Sequence, residues 1–449
     1  MTVEVHTIET PSLGDRSHVI TDGHMAVVID PQRDVDRVLQ CTTEDGLTIT
    51  HVLETHVHND YVSGGLDLCA RTGAAYLVAN GEAVTFDHVP VHDGDRITSG
   101  EIELEAVATP GHTPNHVSWV LHGPDGPQAV FTGGSLLYAA VGRPDLISPE
   151  LTDTLSRAQH RSARRLAERL PDETVVHPTH GFGSHCASVT EDVLREGTVG
   201  DERTRNPALL LDEDAFVEQL LAGLHPYPRY YAHMGPTNAK GAAPIDLSPP
   251  RPFDAAQIRE AIAQGHWVVD LRQRRAFAHD HVRGTVNVEL RDDLPTYLGW
   301  IIPWDVPFVL IGDRADDVTE AQRMLARIGL DHPAGANGNG IDDAGAGSDR
   351  VSWRVGSFTD LATALDGDTP LTVLDVRERW EWDASHHPRA LHVPFHELDG
   401  RVDEVPAETE VWVYCATGNR ATVAGSLLER AGRRVVLLDD FCLPGDQPW

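Results

Sequence analysis

Short apolar runs separated by turn residues open the chain. His18-Val-Ile and Met25-Ala-Val-Val-Ile flank Asp22-Gly23, a pattern that predicts a β-hairpin ending at Asp30. The run from Ile49 to Thr55 predicts a buried strand, and the residues from about Val62 to Arg71 a helix. Leu151, Leu155, Leu166 and Leu170 recur on roughly one face, which predicts an amphipathic helix with arginines on its wet side. Further along the pattern repeats itself. Val268-Val-Asp-Leu-Arg272 lines up with Val373-Leu-Asp-Val-Arg377, and His281–Val288 with His386–Val393, both at an offset of 105 residues. A duplicated strand–helix alternation implies two small, mostly parallel sheets covered on both faces.

Composition refines this picture. A proline-rich stretch at 241–253 and a Gly/Ala/Asp-rich stretch at 333–350 read as linkers, so the expected domains are 1–240, 254–332 and 351–449. A chain of 449 residues suits about three cores of roughly 150 residues each. The formal net charge of −33 repels phosphate backbones and anionic membranes, so neither nucleic acid nor membrane is expected as a partner. Lys240 is the only lysine. The five cysteines are odd in number and widely spaced, without a CxxC pair, which points to a reducing compartment. The opening MTVEVHTIET has neither a basic start nor an apolar run, so a cytoplasmic location is expected. Whether the chain forms a homo-oligomer stays open at this level.

Two constellations carry chemistry. In the first, the apolar run Val411–Tyr414 leads into Cys415-Ala-Thr-Gly-Asn-Arg420 and then a helix from about Ala421 to Arg430. A cysteine on such a turn has backbone N–H groups and a helix N-terminus converging on its sulfur, which favours thiolate or persulfide. Only four residues separate Cys415 from Arg420, and a ring that small suits a sulfane sulfur better than a tetrahedral phosphate. The loop, with Asp375-Val-Arg377 and His386–Pro394, resembles rhodanese (thiosulfate sulfurtransferase) over nearly all of 351–449. That resemblance implies that Cys415 carries sulfur as a persulfide and that Arg420 neutralises the bound anion. The middle copy has Gly312-Asp-Arg-Ala-Asp-Asp317 at the matching place, without cysteine or closing arginine. It reads as a scaffold.

The second constellation is Thr55-His56-Val-His58-Asn-Asp60-Tyr61, followed by Pro110-Gly-His112 and His177-Pro-Thr-His180. Alternate residues leaving a strand project to one side, so HxHxD aims two imidazoles and a carboxylate at one point. These segments resemble the metallo-β-lactamase fold superfamily, which implies an αββα sandwich. Within it the best match is the persulfide dioxygenases, relatives of glyoxalase II that oxidise glutathione persulfide with one non-haem iron and O₂. Val141-Gly-Arg-Pro-Asp145 and Tyr227–Asn238 also look like that family, and fusions to carboxy-terminal rhodanese modules are known in it.

Two positions depart from the family pattern. Tyr61 stands where HxHxDH ends in histidine, and Thr132-Gly133-Gly134 replaces Thr-Gly-Asp, removing a carboxylate that the resemblance implies as an iron ligand beside His56 and His112. The remaining candidate ligands are His56, His58, His112, Asp60 and His180. The expectation is one Fe(2+) per chain on His56 and His112, with His58 or Asp60 completing the set. Zn(2+) is the alternative, because three histidines accept it as readily. Gly134 is expected to leave a gap, so that Gly134→Asp would strengthen metal binding. The functional expectation is a sulfur-metabolism enzyme that oxidises a low-molecular-weight persulfide to sulfite and transfers sulfane sulfur through Cys415. Its partners would be persulfide, thiosulfate, thiols and O₂. The alternatives are a glyoxalase II-like zinc thioesterase fused to a rhodanese, and a non-oxidising sulfur carrier with a degenerate metal site.

Overall fold

The computed structural model describes residues 3–188 and 196–446. The chain divides into two compact units, Met1–Ile245 with Ala326–Gly329, and Asp246–Leu325 with Leu330–Trp449.

The first unit is built on two sheets. Strands β1 (Glu4–Thr10), β2 (Asp15–Thr21), β3 (Met25–Ile29), β4 (Thr48–Leu53), β5 (Ala75–Ala79) and β6 (Val89–Val91) lie side by side in chain order. The second sheet has the order β11-β10-β9-β8-β7, from β7 (Arg96–Ser99), β8 (Ile102–Ala108), β9 (Val117–Gly123), β10 (Gly126–Gly133) and β11 (Val175–Pro178). The hairpin foreseen at Asp22-Gly23 is β2–β3, with His18 opposite Ile29. Alternation along the strands sorts the apolar side chains into layers. Val27, Ile29 and Leu53 meet Leu104, Trp119, Leu121 and Phe131 between the sheets. On the outer face of the first sheet, Ala26, Val28 and Val52 meet Val38 of α1 (Asp36–Glu44) and Leu68 of α2 (Gly65–Thr72). On the outer face of the second, Val107, Val120 and Val130 meet Ala163, Leu166 and Ala167 of α3 (Thr152–Arg169). The result is an αββα sandwich with the HxHxD segment leaving the end of β4.

The second unit holds both repeats as two parallel sheets. One has the order Val286–Asn287, Trp267–Asp270, Phe308–Ile311, Gly335–Asn337. The other has the order Arg354–Gly356, Arg434–Leu438, Glu410–Tyr414, Leu371–Asp375, Ala390–His392. The duplication holds at the level of single hydrogen bonds. Arg272 Nη2 donates to Asp270 (2.7 Å) and to the Asp280 carbonyl (2.9 Å). Arg377 Nη2 donates to Asp375 (2.7 Å) and to the Ser385 carbonyl (2.7 Å), each partner displaced by 105 residues.

The stretch 333–350 differs from the linker expectation. Gly335–Asn337 is an edge strand parallel to Phe308–Ile311, and Ala344 of the helix Ile341–Ala344 joins the apolar core. Gly-Ala-Asn has no strand propensity of its own; pairing with the neighbouring strand decides its conformation.

Candidate metal centre and sulfur cradle

Five side chains predicted as ligands come together at the end of the sandwich, all of them buried: His56, His58, Asp60, His112 and His180. Ring nitrogens of His56, His112 and His180 lie within 4.8 Å of one another, and His58, Asp60 and His180 form a second such group.

The hydrogen-bond partners fix where the protons are. Thr55 Oγ1 donates to Asp30 Oδ2 (2.7 Å), so it can only accept from His56 Nδ1 (2.8 Å). His112 Nδ1 donates to the Arg143 carbonyl (2.8 Å). His180 Nδ1 faces Asp15 Oδ1 (2.9 Å) and Asp60 Oδ2 (3.0 Å). The Nδ1 of His56 and of His112 therefore carries a proton toward an acceptor, and their Nε2 lone pairs turn inward. Against burial, Asp60 and Asp15 hold the His180 imidazole up at about 10, so that its Nε2 proton faces His56 Nε2. His56 Nε2 and His180 Nε2 are 3.3 Å apart, and His112 Nε2 is buried without a hydrogen-bond partner, as are His58 Nδ1 and Asp60 Oδ1. Converging lone pairs and an unpartnered buried carboxylate oxygen repel one another unless a cation sits among them. The donor set fits a metal ion.

His58 leans the other way. Its Nε2 meets Glu54 Oε2 (3.2 Å), Asp30 Oδ1 (3.3 Å) and the Tyr61 hydroxyl (3.0 Å). Against burial, the Asp30 charge and the bonds to Asp30 and Glu54 hold its imidazole up at about 9. Burial and the neighbouring His180 hold His112 down at about 3. Tyr61 stacks on the His58 ring with centroids 4.3 Å apart. His116 is not available as a ligand, since its Nε2 accepts the Gly134 N–H (3.0 Å).

The gap expected at position 134 does not exist. A Cβ on Gly134 would stand 2.3 Å from His112 Cδ2 and 2.6 Å from Cγ, and one on Gly142 would stand 2.7 Å from His112 Nδ1. The His112 ring packs against two adjacent glycines and fills the space in which a carboxylate was sought.

In the second unit Cys415 ends the strand Glu410–Tyr414 and is buried. Its Sγ accepts N–H from Gly418 (3.2 Å) and Ala421 (3.4 Å), the latter in the first turn of the helix Asn419–Arg430. Gly418 has φ 92°, and a Cβ there would stand 2.3 Å from Asp439 Oδ1 and 2.7 Å from Arg274 Nε, so the loop requires glycine. Arg420, expected to neutralise the bound anion, has its two terminal nitrogens bidentate on Glu381 (2.5 and 2.8 Å), which fixes the start of the helix to Glu381, and its charge interacts with Cys415. In the middle copy the corresponding turn closes on itself, with Asp317 Oδ2 accepting the Arg314 N–H (3.0 Å). A carboxylate there occupies the place of an anion.

Sequence reasoning missed Asp15, Asp30, Glu54 and Glu381. Glu54 carried a signal, since it precedes His56 by two residues and leaves the strand on the same side. Asp15 carried none, because it lies 165 residues from the histidine it touches.

An αββα sandwich with a histidine cluster at its end, joined to a cysteine loop on a parallel sheet, defines the class: a metallo-β-lactamase-fold enzyme carrying a rhodanese-like domain. Residues 16–180 match the metallo-β-lactamase superfamily and residues 357–441 the rhodanese-like domain. The chain is 31% identical over 231 residues to human mitochondrial persulfide dioxygenase ETHE1, covering 51% of this chain and 82% of that protein. It is 29% identical to a hydroxyacylglutathione hydrolase of Hahella chejuensis, covering 46% of this chain and 81% of that protein. Among solved structures, a metallo-β-lactamase from Staphylococcus aureus subsp. aureus COL superposes with a TM-score of 0.68 at 27% identity, covering 75% of this chain and 99% of the other. The chain belongs to the persulfide dioxygenase family and is an enzyme of sulfur metabolism. Among the described residues no helix is long and apolar enough to cross a membrane.

Proposed function

We propose that this enzyme oxidises a low-molecular-weight persulfide, such as glutathione persulfide, to sulfite at the histidine cluster, and moves sulfane sulfur through Cys415. The overall oxidation balances as RSSH + O₂ + H₂O → RSH + SO₃²⁻ + 2H⁺. The observation that carries this reading is the convergence of ring nitrogens of His56, His112 and His180 within 4.8 Å of one another, with every Nδ1 proton directed elsewhere. Those three nitrogens would hold one Fe(II), with Asp60 supplying the carboxylate. A bound Fe(II) supplies the reaction with O₂ that no side chain can. The chain's own residues orient the ligands: Thr55 holds His56, the Arg143 carbonyl holds His112, and the buried pair Asp30–Glu54 keeps the His58 Nε2 proton away from the centre.

At Cys415 the thiolate attacks the outer sulfur of a persulfide RSSH, forming Cys415–S–SH and releasing RS⁻. The N–H groups of Gly418 and Ala421 already aim at the sulfur that carries the charge. Transfer of that sulfane sulfur to sulfite would give thiosulfate, so the two chemistries in one chain suit each other.

Metal analysis of anaerobically purified protein reconstituted with Fe(II), together with O₂ uptake on glutathione persulfide, tests the proposal. One iron per chain and persulfide-dependent O₂ uptake, both lost in His56→Ala, are expected. Far less than one iron with no O₂ uptake overturns the oxidation reading, and zinc with thioester hydrolysis would replace it by a hydrolase.

A further inference from the structure

We propose that Asp15 is a positioning residue of the metal centre: it holds His180, and so releases Asp60 to serve as the carboxylate that position 134 lacks. This rests on the reading of the histidine cluster as a metal site.

His180 Nδ1 has one proton to give. Two carboxylates contend for it at nearly equal distance, Asp15 Oδ1 at 2.9 Å and Asp60 Oδ2 at 3.0 Å, and all three side chains are at most 1% exposed. Two ionised carboxylates on one imidazole, in a place closed to water, repel each other without a second cation. One of them is redundant as an acceptor, and the surroundings of the two show which.

Asp15 is held by main chain. It opens β2 directly after Gly14, whose φ is 72° and whose added Cβ would stand 2.4 Å from Ser184 N and 2.7 Å from Phe182 O. The Arg16 N–H donates to the Thr179 carbonyl (2.8 Å) and the Phe182 N–H to the Gly14 carbonyl (3.2 Å). These bonds bracket Asp15 on one segment and His180 on the other, so the carboxylate–imidazole contact is set by backbone geometry.

Asp60 is differently placed. It lies in the turn after β4 between metal-site histidines, within 4.8 Å of ligand atoms of His58 and His180. Its Oδ1 is buried and has no hydrogen-bond partner, as is true of Asp15 Oδ2, but among the described residues Asp15 belongs to none of the groups of converging ligand atoms. An unpartnered carboxylate oxygen in an enclosed site is costly to maintain unless a cation satisfies it. With Asp15 occupying His180, Asp60 is free for that cation. Gly134 cannot carry a carboxylate, because its Cβ position is taken by the His112 ring. The acid lost from one turn is thus replaced by Asp60, and Asp15 is what makes the replacement possible.

The test uses the full chain loaded anaerobically with Co(II), whose visible spectrum reports the ligand set, and with Fe(II), whose affinity is read by chelator competition. Asp15→Ala should weaken metal binding about 10–100-fold, the usual cost of removing such a supporting acceptor. Asp15→Asn keeps shape and an acceptor oxygen but no charge, and should fall between; it carries the test if the alanine variant does not fold. Asp60→Asn should change the Co(II) spectrum in the wild-type background. It should add little to Asp15→Ala, where Asp60 is drawn back to His180, so the double-mutant cycle should be non-additive. A folded Asp15→Ala protein with unchanged affinity and spectrum overturns the proposal, and so does Asp60→Asn with a wild-type spectrum. Wild-type protein that holds neither metal overturns the underlying metal reading as well, a result distinct from the other two.

Discussion

Placing an aspartate at position 134 should harm the protein, although the family pattern suggests the opposite. The new Cβ would stand 2.3 Å from His112 Cδ2 and 2.9 Å from Nε2, and the ring is held in place by the 2.8 Å bond from its Nδ1 to the Arg143 carbonyl. Gly134 itself is tied in place, its N–H donating to His116 Nε2 (3.0 Å) and its carbonyl accepting from Gln159 Nε2 (3.0 Å) and from the Gly142 N–H (2.8 Å). Overpacking a closed interior typically costs about 1–3 kcal/mol. Displacing His112 also breaks its 2.8 Å bond to the Arg143 carbonyl, worth about 1 kcal/mol. Together this is about 2–4 kcal/mol, a fall of roughly 5–15 °C in the melting transition of a unit this size. Metal affinity should fall with it, since a ligand nitrogen leaves its place. Gly134→Ala, which adds only the Cβ, should show most of the stability loss. The assay is thermal unfolding of the metal-free protein, followed by chelator competition with Fe(II). A Gly134→Asp protein that melts within about a degree of the parent and binds Fe(II) as tightly or more tightly would refute the reasoning.

Other consequences can be checked separately. Cys415→Ser should reduce sulfur transfer from persulfide or thiosulfate by orders of magnitude, because serine cannot form a persulfide and the middle copy has no cysteine in its loop; residual activity above about 10% would show that the nucleophile lies elsewhere. Away from the metal site, burial and the charge of His177 hold the His18 imidazole down at about 3, against an ordinary 6.5. The unfolded chain therefore takes up a proton that the folded chain refuses. Stability on this account is complete above about pH 6.5 and is lost as the pH falls toward 3, amounting to about 2 kcal/mol at pH 5. Urea unfolding at pH 7 and pH 5 should show that loss in the parent and less of it in His18→Gln, and equal losses in the two would exclude His18 as the cause.

Much of this protein is legible along the chain. The Asp22-Gly23 hairpin, the α3 helix, the 105-residue repeat and the Cys415 loop all follow from local periodicity and turn chemistry, interactions between residues near in sequence. The five metal-site candidates were also recoverable, because HxHxD and the two later histidine turns are short patterns whose geometry is set by the strands they leave. Tertiary structure decided the rest. Gly335–Asn337 is a strand only because Phe308–Ile311 offers it hydrogen bonds. Arg420 turns to Glu381, 39 residues away. The supposed gap at Gly134 closes because the His112 ring, from another turn, packs against it, and Asp15 reaches His180 across 165 residues. Sequence patterns record which way a side chain leaves its own backbone; which side chain it meets depends on how the sheets stack, and that is a property of the packed whole.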